Sequence, residues 1–144
     1  MISFDVWMRT ADPHLVYDLS SGRRINQSED VLVGDHVWIG QSALLLKKTL
    51  IGSGSIVGAA ALVAGKTIPS NTSWGGNPAR QLKNGIGWDR SCVNSYRSVD
   101  TEQMELCEPP QYDYLSDCLG EVGMKSLSEK LHQMASAEDC AAPR

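Results

Sequence analysis

A chain of 144 residues with 42% apolar and 21% charged residues has the size of one domain and the composition of a globular protein, not a disordered or fibrous one. A formal charge of -4 argues against a nucleic-acid partner, which would ask for a basic face. The longest apolar run, Ile56 to Ala64, is far short of the roughly 20 residues a membrane span needs; Met1-Ile2-Ser3-Phe4-Asp5 lacks the features of a signal peptide, which makes the cytoplasm the default compartment.

In chain order, Ile2 and Met8 lie six apart, with Val6 compact at the fifth place of the same unit, so the first ten residues read as repeat. The register then breaks. Residues 11 to 32 carry turn formers at Pro13, Ser20-Ser21-Gly22 and Asn26 and read as an excursion loop, a kind of segment that often carries function. From Val33 the period is unbroken, with Val33, Ile39, Leu45, Ile51, Val57 and Val63 placing an aliphatic residue at every sixth position. If each unit is one short strand plus a corner, three residues per 18 point inward and the chain winds as a triangular parallel β-helix. The residue after each aliphatic is small at Gly34, Gly40, Gly52, Gly58 and Ala64, as expected of a crowded corner, with Leu46 the exception. The fifth place is compact at Val37, Ala43, Thr49, Ser55, Ala61 and Thr67.

Ile68-Pro69-Ser70-Asn71 is expected to stop the coils, because proline cannot donate to the ladder of a central strand. Trp74-Gly75-Gly76-Asn77-Pro78-Ala79-Arg80 reads as a turn-rich exit, giving a β-helical domain over 1–83 and a C-terminal extension over 84–144. Within the extension, Ser126 to Ala137 sets Leu127, Leu131, Met134 and Ala135 on one helical face, so a short helix is expected to cover the β-helix flank or a neighbouring subunit. The final Ala-Ala-Pro-Arg is expected to be disordered. Cys92, Cys107, Cys118 and Cys140 form no C-x-x-C pair and read as free thiols.

Gly34-Asp35-His36-Val37-Trp38-Ile39-Gly40, Leu45-Leu46-Lys47, Ile51-Gly52 with Val57-Gly58-Ala59, and Gly76-Asn77-Pro78-Ala79-Arg80 together resemble the hexapeptide-repeat acyltransferases. Thr10-Ala11-Asp12-Pro13-His14, Tyr17-Asp18 and Gly22-Arg23-Arg24-Ile25-Asn26 are similar to the loop of their sugar and capsular-polysaccharide O-acetyltransferase branch. The resemblance covers residues 1 to about 90 and implies an all-β, left-handed parallel β-helix. That hand goes against the usual right-handed crossover, so it is implied by the resemblance and not by the repeat.

The implied reaction is direct transfer from acetyl-CoA to a hydroxyl of a sugar or polysaccharide precursor, in a homotrimer whose sites lie between subunits. His14 holds the place of the family's catalytic histidine and would take the hydroxyl proton. Asp12 would either orient its ring or bind the acceptor. The N–H of Gln41 would stabilise the oxyanion, Trp38 would flank the thioester, and the backbone around Ala59 would line the pantetheine arm. Arg80 and Lys83, joined by Lys66, would meet the CoA phosphates. His36 reads as a solvent-facing structural corner, and His132 as the polar side of the tail helix. Lys48 replaces a usual glycine, and the turn at Ala64-Gly65 reads as a residue longer than in some relatives.

No metal is implied: a carbonic-anhydrase reading needs three histidines on adjacent coils, and the repeat holds no third beside His14 and His36. Acetylation of an amino-sugar nitrogen, or a non-enzymatic or truncated β-helix used for assembly, are the competing readings. Because residues 2 to 10 follow the register in mid-coil, Met1 is expected not to be the natural start of a complete enzyme, and the isolated chain to be marginally stable and weakly active.

Overall fold

The computed structural model describes residues 1–91, together with 93, 97, 104, 106, 112–114 and 126–134. The four cysteines, Ala135 to Ala137 and the last four residues lie outside them.

Among the described residues nine short strands wind as a left-handed parallel β-helix, and a tenth closes it. β1 (Trp7–Arg9), β4 (Leu44–Leu46) and β7 (Leu62–Val63) stack as a first face, and β2 (Val31–Val33), β5 (Thr49–Ile51) and β8 (Thr67–Ile68) as a second. β3 (Trp38–Ile39), β6 (Ile56–Val57) and β9 (Thr72–Gly75) form the third, which β10 (Arg80–Asn84) closes as an antiparallel partner of β9. The stacked pairs β2–β5, β3–β6 and β4–β7 are 18 positions apart, such as Ile39 under Val57 and Leu45 under Val63, which is why a six-residue period becomes three faces. Ile39, Leu45, Ile51, Val57, Val63 and Ile68 form one fully buried column, each contributing about 1.5–3 kcal/mol of burial. Ile2 bridges Ile39 and Met8 pairs with Leu45, as the register requires. Ile2, Met8 and Val33 share the inward register but stay exposed, since they form the lowest rung. Among the described residues no helix is long and apolar enough to cross a membrane.

The small residue after each aliphatic has a different cause from the one expected. At Gly34, Gly40 and Gly52 a Cβ would meet the next coil at Ser53 N (2.8 Å), Ala59 N (2.5 Å) and Ser70 N (2.5 Å), so it is coil-to-coil approach that excludes a side chain. The left-handed corner angles fall two places later, at His36, Ser42, Lys48, Gly54 and Ala60. Lys48, at φ 63, is a corner residue that tolerates this conformation without being glycine.

Three further details depart from the reading of the repeat. The unit from Val63 to Ile68 is one residue short: Ile51 pairs with Ile68, not with position 69. Thr67 therefore stands beside Leu50 on β8 rather than at the fifth place, and the unit that contains the Ala64-Gly65 turn is a residue shorter than the repeat of this chain. Pro69 does not end the coils, because it lies in a corner where no strand needs its donor, and β9 still pairs with β6 beyond it. Its carbonyl accepts bonds from Ser55 Oγ and Thr72 Oγ1, both 2.7 Å, which satisfies two polar side chains close to the core.

Candidate active site

The three edges of the prism carry different groups. At the edge between the third and first faces, Gln41 and Ser42 lie one coil below Ala59 and Ala60: the Ala60 N–H donates to the Gln41 carbonyl at 2.8 Å, and Leu62 N–H donates to Gly76. Among the described residues the Gln41 N–H has no protein acceptor. Trp38, 37% exposed, stands on the face running into this edge, and Arg80 opens β10 just past the same edge, paired with Gly75. Trp38, Gln41, Ala59 and Arg80 thus follow one edge upward. Lys83 lies further along β10, opposite Ser73, and is exposed.

The excursion leaves after β1 and returns at β2, so His14 and Asp12 sit at the edge between the first and second faces. The tip is a small antiparallel turn in which Tyr17 bridges Arg24 and Gly22 N–H closes on the Asp18 carbonyl. Hydrogen bonds from the Ser20 and Ser21 hydroxyls hold the Asp18 carboxyl down to about 2. Asp12 Oδ2 takes the Lys47 ammonium at 2.6 Å and Asn26 Nδ2 at 3.0 Å. The Lys47 bond first, then the Asn26 bond, holds Asp12 below the usual carboxylate range, with the charges of Lys47 and Arg24 adding to it. Asp12 is therefore tied to the coil by Lys47; among the described residues it makes no bond to the His14 ring, so an orienting role toward that ring is not what the geometry shows.

Asn26 is the residue that reading by side-chain chemistry passed over. It is 6% exposed and uses its whole amide: Oδ1 accepts from Val16 N–H (2.9 Å) and Arg24 Nε (3.2 Å), while Nδ2 donates to Asp12 and to the His14 carbonyl (2.7 Å). This one side chain fixes the backbone at His14 and Val16 and ties it to the Asp12 carboxylate, while the His14 residue itself is exposed. The available signal was a lone asparagine twelve residues after the histidine, inside a polar loop.

Lys66 lies on the histidine edge, between Gly65 and Thr67, and the structure does not bring it to Arg80 and Lys83 within one chain. A groove of about 350 Å³ opens beside it, lined by residues that include Glu29, Asp30, Lys48 and Thr67 from the coils and Ser128 and His132 from a helix, α1, over 126–134. α1 meets the flank through Ser128 and His132, both bonded to Asp30, and leaves Leu127, Leu131 and Met134 exposed. The apolar face expected to cover the flank or a neighbouring subunit does not cover the flank of its own chain, where the corner it meets offers the Asp30 carboxylate.

The third edge is structural. His36 is half-buried rather than solvent-facing: its ring lies 4.2 Å from Trp88 and near-parallel to it, Nε2 faces the Trp88 carbonyl at 2.8 Å, and Trp88 Nε1 donates to the His36 carbonyl at 2.8 Å. Tyr112 and Tyr114 stack on its far sides, and Asn71 bonds Ile86 and Tyr114. Trp88 also meets Trp38, ring centroids 5.9 Å apart.

No protein-family model matches the chain. It is 37% identical over 91 residues, 63% of its length, to a polysialic acid O-acetyltransferase of Escherichia coli O1:K1 / APEC, of which it covers 29%. Two crystal structures superpose on it at 31% identity: the polySia-specific acetyltransferase NeuO (TM-score 0.59, 72% of this chain and 49% of that one) and the polysialic acid O-acetyltransferase OatWY (TM-score 0.60, 73% and 50%). The chain thus spans half or less of the length of these relatives. Repeat, loop motif and fold agree in relating it to the hexapeptide-repeat acyltransferases, on the side of their glycan O-acetyltransferase branch.

Proposed function

We propose that the chain carries the transfer half of an acetyl-CoA-dependent O-acetyltransferase acting on a glycan hydroxyl, with residues 1–83 as the catalytic domain. The observation that supports this most is the N–H of Gln41, which has no protein acceptor among the described residues and lies on the same edge as Ala59, Trp38 and Arg80. A thioester laid along that edge would direct its carbonyl oxygen at a pre-oriented donor, which is what a developing oxyanion needs. Arg80 and Lys83, at the top of the same face, would take the phosphates.

His14 would accept the hydroxyl proton as the sugar oxygen attacks the thioester carbon, after which the tetrahedral intermediate expels CoA thiolate. His14 and Gln41 stand on opposite edges of the first face, with a strand between them. One chain therefore offers two half-sites, and we propose that a homotrimer completes each site by setting the histidine edge of one copy against the Gln41 edge of the next. In that arrangement Lys66, on the histidine edge, reaches toward the neighbour's CoA.

The test is transfer of labelled acetyl from acetyl-CoA to a panel of acidic and neutral oligosaccharides by the full chain, with its mass followed by light scattering. Transfer by a trimer, lost in His14→Ala, supports the reading. A monomer of 15.7 kDa that transfers acetyl at ordinary enzyme rates would overturn the shared site. The assembly-only reading draws on the exposed lowest rung, Ile2, Met8 and Val33; a trimer that binds no CoA would favour it.

A further inference from the structure

Arg24 is a cation held in place by neutral acceptors, with no direct ion pair among the described residues; its charge reaches Asp12 only at longer range. Nε donates to Asn26 Oδ1 at 3.2 Å and Nη2 donates to the Asn26 carbonyl at 3.1 Å, both neutral acceptors. The carboxylates nearby in sequence are otherwise engaged: Asp12 by Lys47 and Asn26, Asp18 by Ser20 and Ser21, Glu29 by Lys48 at 3.7 Å, and Asp30 by His132 at 3.1 Å. Among the described residues no carboxylate lies within ion-pair distance of Arg24. The same amide that orients Arg24 also bonds the His14 carbonyl, so guanidinium and histidine are registered to each other through one buried residue.

We propose that Arg24 reads a carboxylate of the acceptor, which makes the substrate class of this site an acidic glycan. The inference rests on the proposed acetyl transfer at His14. A guanidinium with part of its fork already bonded keeps its Nη1 edge for an incoming anion and gives up little further rotamer freedom on binding it. Its charge has the right sign for a polyanion that the overall charge of -4 would otherwise repel. An acceptor carboxylate seated on Arg24 would fix which ring hydroxyl faces His14, so the contact sets regiochemistry as well as affinity.

The test uses a short oligomer of sialic acid and the same oligomer with its carboxylates reduced to alcohols. Binding to the full chain is measured by calorimetry, and KM and kcat by acetyl transfer. The acidic oligomer should bind about 10- to 100-fold more tightly than the reduced one, as expected for a hydrogen-bonded charge pair. Arg24→Gln should erase that preference, and Arg24→Lys should keep part of it. A preference that survives in Arg24→Gln, or acidic and reduced oligomers bound equally by the unaltered chain, would overturn the proposal. Binding answers the question independently of turnover: a chain that binds the acidic oligomer through Arg24 yet transfers no acetyl would refute the proposed activity while leaving the carboxylate contact standing.

Discussion

Replacing Asn26 by leucine keeps roughly the volume of a buried side chain and removes every hydrogen bond it makes. The Val16 N–H and the His14 carbonyl lose their partner at 2.9 and 2.7 Å, while Arg24 Nε and Asp12 Oδ2, both on exposed residues that water can satisfy, lose one at 3.2 and 3.0 Å. At about 1 kcal/mol for each net bond, the loop's docked conformation should lose about 2–3 kcal/mol, or about 30- to 150-fold in its opening equilibrium. The coils should feel little of this, since the column from Ile39 to Ile68 does not include Asn26. Amide exchange is the assay. The Val16 and Ile25 amides, the latter bonded to the Val16 carbonyl, should exchange faster by that factor, while amides of β5 and β6 stay protected. Acetyl transfer should fall only as far as the docked fraction falls, because the open loop no longer presents His14. Unchanged protection at Val16 in Asn26→Leu would refute the idea that this side chain holds the loop.

His14→Ala should lose roughly 10²- to 10⁴-fold in turnover with little change in CoA affinity, whereas His36→Ala should spare turnover and lower the melting temperature by loosening Trp88; equal kinetic losses in both would show that the wrong histidine has been chosen. Arg80→Ala and Lys83→Ala should weaken acetyl-CoA more than dephospho-CoA in calorimetry, and equal losses would refute contact with the 3′-phosphate. Asp12 has its folded pKa lowered from 3.8, so its contribution to loop docking is full above that value and is lost as pH falls through the lower folded pKa; Val16 amide protection followed downward from pH 6 should show that loss, and Lys47→Met should flatten it. Gly40→Ala sets a methyl 2.5 Å from Ala59 N and should cost about 3 kcal/mol or fail to fold, while Gly65→Ala, with open space but φ +58, should cost only about 1 kcal/mol in a denaturant titration.

The coil was legible because its determinants are local and repeated. Val33, Ile39 and Leu45 each meet an aliphatic neighbour eighteen residues on, so one period specifies the core from Ile39 to Val63. Where a single residue breaks the repeat, the pattern misleads: the short unit after Val63 moved Thr67 by one place, and Pro69 looked like a stop because its corner position is invisible in composition. The loop was recognisable as a loop, and His14 and Asp12 stood out as titratable groups, but Asn26 did not, since its importance is a count of bonds that exist only once the chain has turned back. The clamp of Trp88, Tyr112 and Tyr114 on His36 was equally hidden, because nothing periodic joins residues that far apart.

The excursion also bears on how easily this molecule can change its acceptor. Trp7 pairs with Leu44, thirty-seven positions on, where Leu44 pairs with Leu62 at eighteen; the coil thus closes over a span about twice the ordinary one. Doubling a loop costs only about 0.6 kcal/mol of closure entropy. Lengthening, shortening or rewriting residues 11 to 30 is accordingly a small perturbation to the stacked faces, which hold the proposed thioester edge whatever the loop contains. Acceptor choice can drift through insertions at one corner while the donor machinery stays under separate selection, and a loop graft between such chains should transfer acceptor preference without redesign of the coils.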